Sequence, residues 1–160
     1  MESKPKIVHN IFDKERFSAV QSISRQLIAN FNNDTNDRVF IDGRNVKIIS
    51  DLAFEVLPLA ETIFNCKLKY MHSVLVEYEG EFASLGIHKD QSEDLKLLDI
   101  AISQEFLWPI TVDNVEYTFE ENCALAFESG KLMHERKNNI NMRGKKVSML
   151  LLYYSEIGNN

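Results

Sequence analysis

Two N-terminal segments carry apolar residues at the three- and four-residue spacing of amphipathic helices. In the first segment, Asp13 is a typical N-cap, and one apolar face is formed by Phe17, Val20, Ile23, Leu27 and Phe31. The polar run at 32–37 then predicts a solvated loop. In the second segment, Ser50 is the expected cap, and Pro58 is expected to kink or divide the helix.

From residue 66 onward, short β-rich runs separated by turn-forming residues replace the helical spacing. These runs are KLKYMHSVLVEYEG, LLDIAISQEF, WPITVDN, VEYTFEE, CALAFESG and KVSMLLLYY. With no helical spacing between them, they predict a β-sandwich or barrel. We therefore expect one mainly β (α+β) domain over 1–160, in which the helical part at 11–65 packs on one face of the β core at 66–155.

The composition narrows the class of protein. The net charge of −6 is spread along the chain, which disfavours binding to the phosphate backbone of a nucleic acid. Neither a signal-peptide pattern nor a membrane-length apolar run is found, so a soluble, cytoplasmic protein is expected. The acidic group Glu93, Asp94 and Asp99 is expected to solvate a loop. Oligomeric state is left open.

Three residues have the chemistry of a metal site. His88 and Asp90 flank Lys89, and in an extended segment their side chains share one face while Lys89 points away. His134 follows a later strand, 44 residues after Asp90. Two histidines and one carboxylate form a facial triad that suits Fe(II). Taken alone, a His-x-Asp pair is usually a surface turn, and the order of the surrounding residues is what favours a metal site.

That order resembles the Fe(II)- and 2-oxoglutarate-dependent dioxygenases, especially their prolyl-hydroxylase-like branch. The resemblance covers about residues 70–155 and is carried by VEYEGEFASLGIHKD, ALAFESGKLMHERK and GKKVSMLLLYY. It implies a double-stranded β-helix (jelly roll). It also implies an iron site whose ligands are His88, Asp90 and His134.

The same resemblance implies contacts to 2-oxoglutarate. Lys146 would pair with the distal carboxylate of this co-substrate, and Ser148 would add a hydrogen bond. A buried carboxylate does need a cation and hydroxyl donors. Arg136 is a competing cation, because it follows His134 by two residues. Tyr78 either contacts the co-substrate or packs in the core.

The implied activity is hydroxylation of a C–H bond with O2, during which 2-oxoglutarate is decarboxylated to succinate. Asp90 favours hydroxylation, since related halogenases carry a small residue at this position. The expected substrate is a peptidyl residue of prolyl type, or a free amino acid or small metabolite. The alternative is a non-redox jelly-roll or cupin-like module for a metal or ligand, in which Lys146 and Ser148 need not face the metal cavity.

Overall fold

The structure is a computed structural model that describes residues 4–31 and 38–158. Within these ranges the first helix, α1 (Lys14–Asn30), begins where the sequence predicts. The Asp13 carboxylate accepts a hydrogen bond from the backbone N–H of Arg16 at 2.8 Å, as an N-cap does. The loop predicted at 32–37 lies outside the described residues.

The second helix, α2 (Lys47–Phe64), differs from the prediction in two ways. It begins before Ser50, whose hydroxyl donates to the carbonyl of Lys47 at 2.8 Å instead of capping the helix. It also continues through Pro58 without dividing. Proline removes one helical hydrogen bond, but the buried face of Leu52, Val56 and Ala60 spans the position and holds the helix to the sheet.

Ten strands are found in the described residues. They are β1 (Lys6–Val8), β2 (Arg38–Asp42), β3 (Leu68–Glu79), β4 (Leu85–His88), β5 (Leu95–Gln104), β6 (Ile110–Val112), β7 (Val115–Tyr117), β8 (Ala124–Phe127), β9 (His134–Arg136) and β10 (Lys146–Glu156). A six-stranded sheet has the order β1-β8-β5-β10-β3-β2, and a four-stranded sheet has the order β4-β9-β6-β7. All pairings are antiparallel. The segment 11–65, predicted as helical, therefore also contributes β2.

The two faces of the large sheet bury different cores. Along β10, Leu150, Leu152 and Tyr154 pack with the helices in one apolar cluster. Met149 and Leu151, which alternate with them, join a second cluster between the two sheets. Both helices thus lie on one face of the β core, as predicted. No helix in the described residues is long and apolar enough to cross a membrane.

A buried ion pair joins the central strand β5 to the segment after β8. Lys96 lies 3.0 Å from the carboxylate of Glu128, and Lys131 lies 2.9 Å from it. Burial alone would raise the pKa of Glu128, but the hydrogen bonds from Lys131 and Lys96 outweigh burial and lower this pKa to about 2. The ionised form of Glu128 is therefore stabilised in the folded protein.

We expect Glu128→Gln to lower the free energy of unfolding at pH 7 by roughly 3 kcal/mol, because it leaves buried Lys96 with only the half-exposed Glu156 carboxylate, 3.6 Å away, as counter-charge. A glutamate in the unfolded chain has a pKa near 4.3. The stabilisation is therefore complete above that pH and is lost as the pH falls toward 2. In thermal melts from pH 7 to pH 2, the difference in melting temperature between wild type and variant should shrink below about pH 4.

The matched control is Glu55→Gln, which removes the half-exposed pair between Arg16 and Glu55. Exposed pairs of this kind contribute about 0–1 kcal/mol. If the difference in melting temperature between wild type and Glu128→Gln persists unchanged at low pH, the effect does not come from the charge of Glu128.

Candidate metal centre and adjoining cavity

His88 and His134 are brought together by strand pairing. β4 and β9 are neighbours in the four-stranded sheet, and His88 at the end of β4 is directly opposite His134 at the start of β9. Their ring centroids are 4.3 Å apart. The short distance between two residues far apart in sequence is therefore fixed by the register of the sheet.

Backbone carbonyls fix the orientation of both imidazoles. His88 Nδ1 lies 2.6 Å from the carbonyl oxygen of Gly86, and His134 Nδ1 lies 3.1 Å from that of Leu132. A carbonyl oxygen only accepts, so each Nδ1 carries the proton and each neutral ring keeps a lone pair on Nε2. Burial lowers the pKa of His134, which favours its neutral form. The neutral form of each ring is thus the tautomer that a metal bound through Nε2 requires.

Asp90 faces the two Nε2 atoms. Its Oδ1 lies 3.6 Å from His88 Nε2 and 4.0 Å from His134 Nε2. The backbone N–H of Asp90 donates to the carbonyl of Ser129 at 3.0 Å, which holds this residue beside the segment that follows β8. Its Oδ2 is buried and has no hydrogen-bond partner in the described part of the chain.

One ligand atom from each of His88, Asp90 and His134 lies within 4.8 Å of the others. Two unprotonated imidazole nitrogens and one carboxylate form the donor set of a facial triad for Fe(II). An unpaired carboxylate oxygen at this position is costly unless a cation completes it. The residues therefore fit a divalent metal.

A cavity of about 170 Å³ adjoins the triad between the two sheets. Its polar lining includes Arg38, Tyr78, His88, Asp99, His134 and Arg136. Tyr78 is buried, and its ring packs edge-on against Trp108 at 4.9 Å between centroids. Burial raises the pKa of the Tyr78 phenol, so this group stays protonated. Tyr78 thus both packs in the core and faces the cavity.

Arg136 and Asp99 form an ion pair inside this cavity. Arg136 Nη2 lies 2.6 Å from Asp99 Oδ2, and the two side chains are only 3% and 2% exposed. Arg136 Nη1 also donates to the carbonyl of Trp108 at 2.7 Å. Because Arg136 follows His134 by two residues on one strand, it points to the same side as the triad.

The structure does not bring Lys146 and Ser148 into the cavity. Side chains alternate along β10, and the cavity-lining positions are Met149 and Leu151, so Lys146 and Ser148 project to the opposite face of the sheet. Lys146 is 49% exposed and lies 3.5 Å from a carboxylate oxygen of Glu77. The geometry of this cavity therefore does not support a contact between these two residues and 2-oxoglutarate, and that contact stays a prediction from the resemblance.

Two cavity residues were not found from the sequence. Asp99 is predicted to lie in a solvated loop, but it lies in the middle of β5 and is buried. The signal that could have indicated this is a single charged residue inside the apolar run LLDIAI. Arg38 lies on the edge strand β2, within a segment predicted as helical. Its positive charge partly offsets the rise in the pKa of the Tyr78 phenol that burial causes.

A groove of about 360 Å³ lies on the other side of Asp90. Its lining includes the half-exposed apolar side chains of Phe40 and Met71, together with His72 and Tyr153. Phe40 and Tyr153 also line the enclosed cavity, so the groove adjoins the cavity. Burial lowers the pKa of His72, which favours a neutral ring. The groove is therefore mostly apolar and reaches the triad from outside.

No protein-family model and no curated protein matches the sequence. Solved structures do match over almost the whole chain. The non-heme alpha-ketoglutarate-dependent epimerase SnoN of nogalamycin biosynthesis has a TM-score of 0.77 at 10% identity, covering 95% of this chain and 76% of SnoN. EctD from S. alaskensis has a TM-score of 0.77 at 13% identity, covering 97% and 74%.

A prolyl-4-hydroxylase from Pseudomonas putida has a TM-score of 0.64 at 14% identity, covering 96% of this chain and 93% of the hydroxylase. The chain has the double-stranded β-helix fold of these oxygenases. This confirms the predicted fold. The double-stranded β-helix places the triad at one end of the space between its two sheets and Arg136 farther along the same inner face of β9.

EctD has been solved with iron and with 2-oxoglutarate and 5-hydroxyectoine. SnoN has been solved with Fe3+, alpha-ketoglutarate and nogalamycin RO. At these identities the similarity establishes the fold, and the chemistry of this chain depends on its own residues.

Proposed function

We propose that this protein is an Fe(II)- and 2-oxoglutarate-dependent oxygenase that hydroxylates a C–H bond. The observation that carries the proposal is the convergence of His88 Nε2, His134 Nε2 and the Asp90 carboxylate beside a cavity that holds a buried guanidinium. The double-stranded β-helix fold, shared with oxygenases that bind iron and 2-oxoglutarate, supports it.

His88, Asp90 and His134 would hold the iron and leave three adjacent coordination positions open. When bound, iron with 2-oxoglutarate supplies the oxidising chemistry: O2, 2-oxoglutarate and substrate C–H give CO2, succinate and substrate C–OH. The protein's own contribution is orientation. The carbonyls of Gly86 and Leu132 keep both Nε2 lone pairs facing the metal, and Phe127 packs edge-on against the His134 ring at 5.2 Å between centroids.

Arg136 is the proposed partner of the distal carboxylate of 2-oxoglutarate, with Tyr78 and Arg38 nearby. The burial of the Arg136 guanidinium beside the triad supports this role, because a buried carboxylate needs a cationic hydrogen-bond donor.

The cavity of about 170 Å³ is smaller than the roughly 300–1,000 Å³ pockets of drug-sized ligands. We infer that it takes the co-substrate alone and that the primary substrate approaches through the groove lined by Phe40, Met71 and His72. A small metabolite, a free amino acid or a prolyl-type peptidyl residue meets this description. We place the reaction in the cytoplasm.

A non-redox metal-binding module is the second candidate, and two observations favour it. Lys146 and Ser148 lie outside the cavity, and Asp99 already neutralises Arg136. Such a module would bind a divalent metal through the same triad without a requirement for 2-oxoglutarate.

Anaerobic titration separates the two candidates. Addition of 2-oxoglutarate to the Fe²⁺-loaded protein should produce the weak visible metal-to-ligand charge-transfer band of the chelate, because the facial triad leaves adjacent positions for both donor atoms of a 2-oxo acid. Admission of O2 should then bleach the band and release succinate. Stoichiometric metal binding without any band would favour the binding module and contradict the oxygenase.

A further inference from the structure

Asp99 is a carboxylate on the inner face of a central strand. In β5 it pairs with Leu151 of β10 on one side and with Leu125 of β8 on the other. Its side chain is 2% exposed, among apolar neighbours that include Leu97 and Ala101. A charged group is expensive at such a position, so its presence requires a specific partner.

The partner is Arg136, and it satisfies only one of the two carboxylate oxygens. Oδ2 accepts a hydrogen bond from Arg136 at 2.6 Å, whereas Oδ1 is buried and has no hydrogen-bond partner among the described residues. Both side chains line the cavity beside the triad. A pair serving stability alone would be expected to satisfy both oxygens, since an unmade bond at a buried acceptor costs about 1–3 kcal/mol.

Arg136 is held by groups from two other parts of the fold. Asp99 fixes Nη2, the carbonyl of Trp108 fixes Nη1, and the guanidinium carbon lies 5.4 Å from the centroid of the Trp108 ring. Both β9 and β5 are hydrogen-bonded on two sides, but the aspartate side chain is short whereas the arginine side chain is long and rich in rotamers. The rigid member of the pair is therefore Asp99.

We propose that Asp99 is a positioning residue for co-substrate binding: it aims the Arg136 guanidinium at the distal carboxylate of 2-oxoglutarate, and its Oδ1 accepts a donor that enters with the ligand, such as an ordered water. This inference rests on the proposed function. A rigid strand carboxylate turns a flexible arginine into a preorganised anion site, which reduces the ordering cost of binding.

The test is 2-oxoglutarate binding to the Ni²⁺-loaded protein, measured by calorimetry so that turnover is not needed. Asp99→Ala removes the anchor and should raise the 2-oxoglutarate Kd about tenfold or more. Asp99→Asn keeps an acceptor for Arg136 and should stay within about threefold of wild type. The Kd of Ni²⁺ itself should not change in either variant, because Asp99 does not belong to the triad.

A control ligand shows whether the loss of affinity depends on the distal carboxylate. 2-Oxopentanoate has the same chain as 2-oxoglutarate without the distal carboxylate, so its Kd should be the same in Asp99→Ala and wild type. Asp99→Ala should likewise add nothing in the Arg136→Gln background, because a positioning residue acts only through its target.

The outcomes separate this inference from the proposed function. If wild type binds no 2-oxoglutarate, the proposed function fails. If wild type binds it and Asp99→Ala binds it equally well, or if 2-oxopentanoate weakens in parallel, Asp99 does not position Arg136. Asp99→Ser gives the same comparison if the alanine variant does not fold, since it also lacks the reach to Arg136.

Discussion

Replacement of His134 by alanine is expected to abolish metal binding and, with it, succinate formation. His134 is buried, supplies one of the two nitrogen donors, and is held with its lone pair toward Asp90 by the carbonyl of Leu132. Loss of groups that merely orient a ligand costs about 10- to 100-fold in metal affinity, so loss of the ligand itself should exceed about 100-fold. Anaerobic Fe²⁺ titration measures the effect directly.

Lys89→Ala is the matched control, because Lys89 lies between His88 and Asp90 but its side chain is exposed. Its Fe²⁺ affinity and succinate yield should equal those of wild type. Melting temperatures should show that His134→Ala remains folded under the assay conditions. Full metal stoichiometry in folded His134→Ala would contradict the triad, whatever the activity.

The first helix and the long strands could be predicted from the residues because the relevant signals are local, whereas the double-stranded β-helix was implied by the resemblance. Asp13 caps α1 by a contact within one helical turn, and β-rich runs between turn-forming residues mark the long strands β3, β5 and β10. The proximity of His88 to Asp90 also follows from local geometry. The proximity of His134 does not, because it depends on the pairing of β4 with β9, and only the order of residues along the chain indicated it.

The errors concern choices that only the assembled sheets decide. Alternation correctly put Lys146 and Ser148 on one face of β10 but carries no information on which face meets the second sheet. Ser50 has the chemistry of a cap, yet packing of the apolar residues around Ile49 and Leu52 extends α2 past it to Lys47. Asp99 was misplaced because charged residues are usually solvated. Asp99 is buried because it pairs with Arg136, which lies 37 residues away in the sequence.

Arg136→Gln is expected to raise the Kd of 2-oxoglutarate by about 30-fold or more, since truncating one partner of a buried, hydrogen-bonded charge pair costs at least about 2 kcal/mol. Lys146→Gln removes the same type of charge from the opposite face of β10 and should change the Kd by less than about threefold, as exposed charges contribute little. Anaerobic charge-transfer titrations of the two variants measure both values.

Stability needs separate control, because Arg136→Gln also leaves Asp99 without its counter-ion. The folded fraction of each variant is therefore fixed by its melting curve, and 2-oxopentanoate, which lacks the distal carboxylate, reports any general damage to the site. A selective loss of 2-oxoglutarate in Arg136→Gln assigns the carboxylate to the inner face of the fold. The reverse result, a large loss in Lys146→Gln with Arg136→Gln unchanged, would require the co-substrate to reach the outer face of β10 and would contradict the cavity as its binding site.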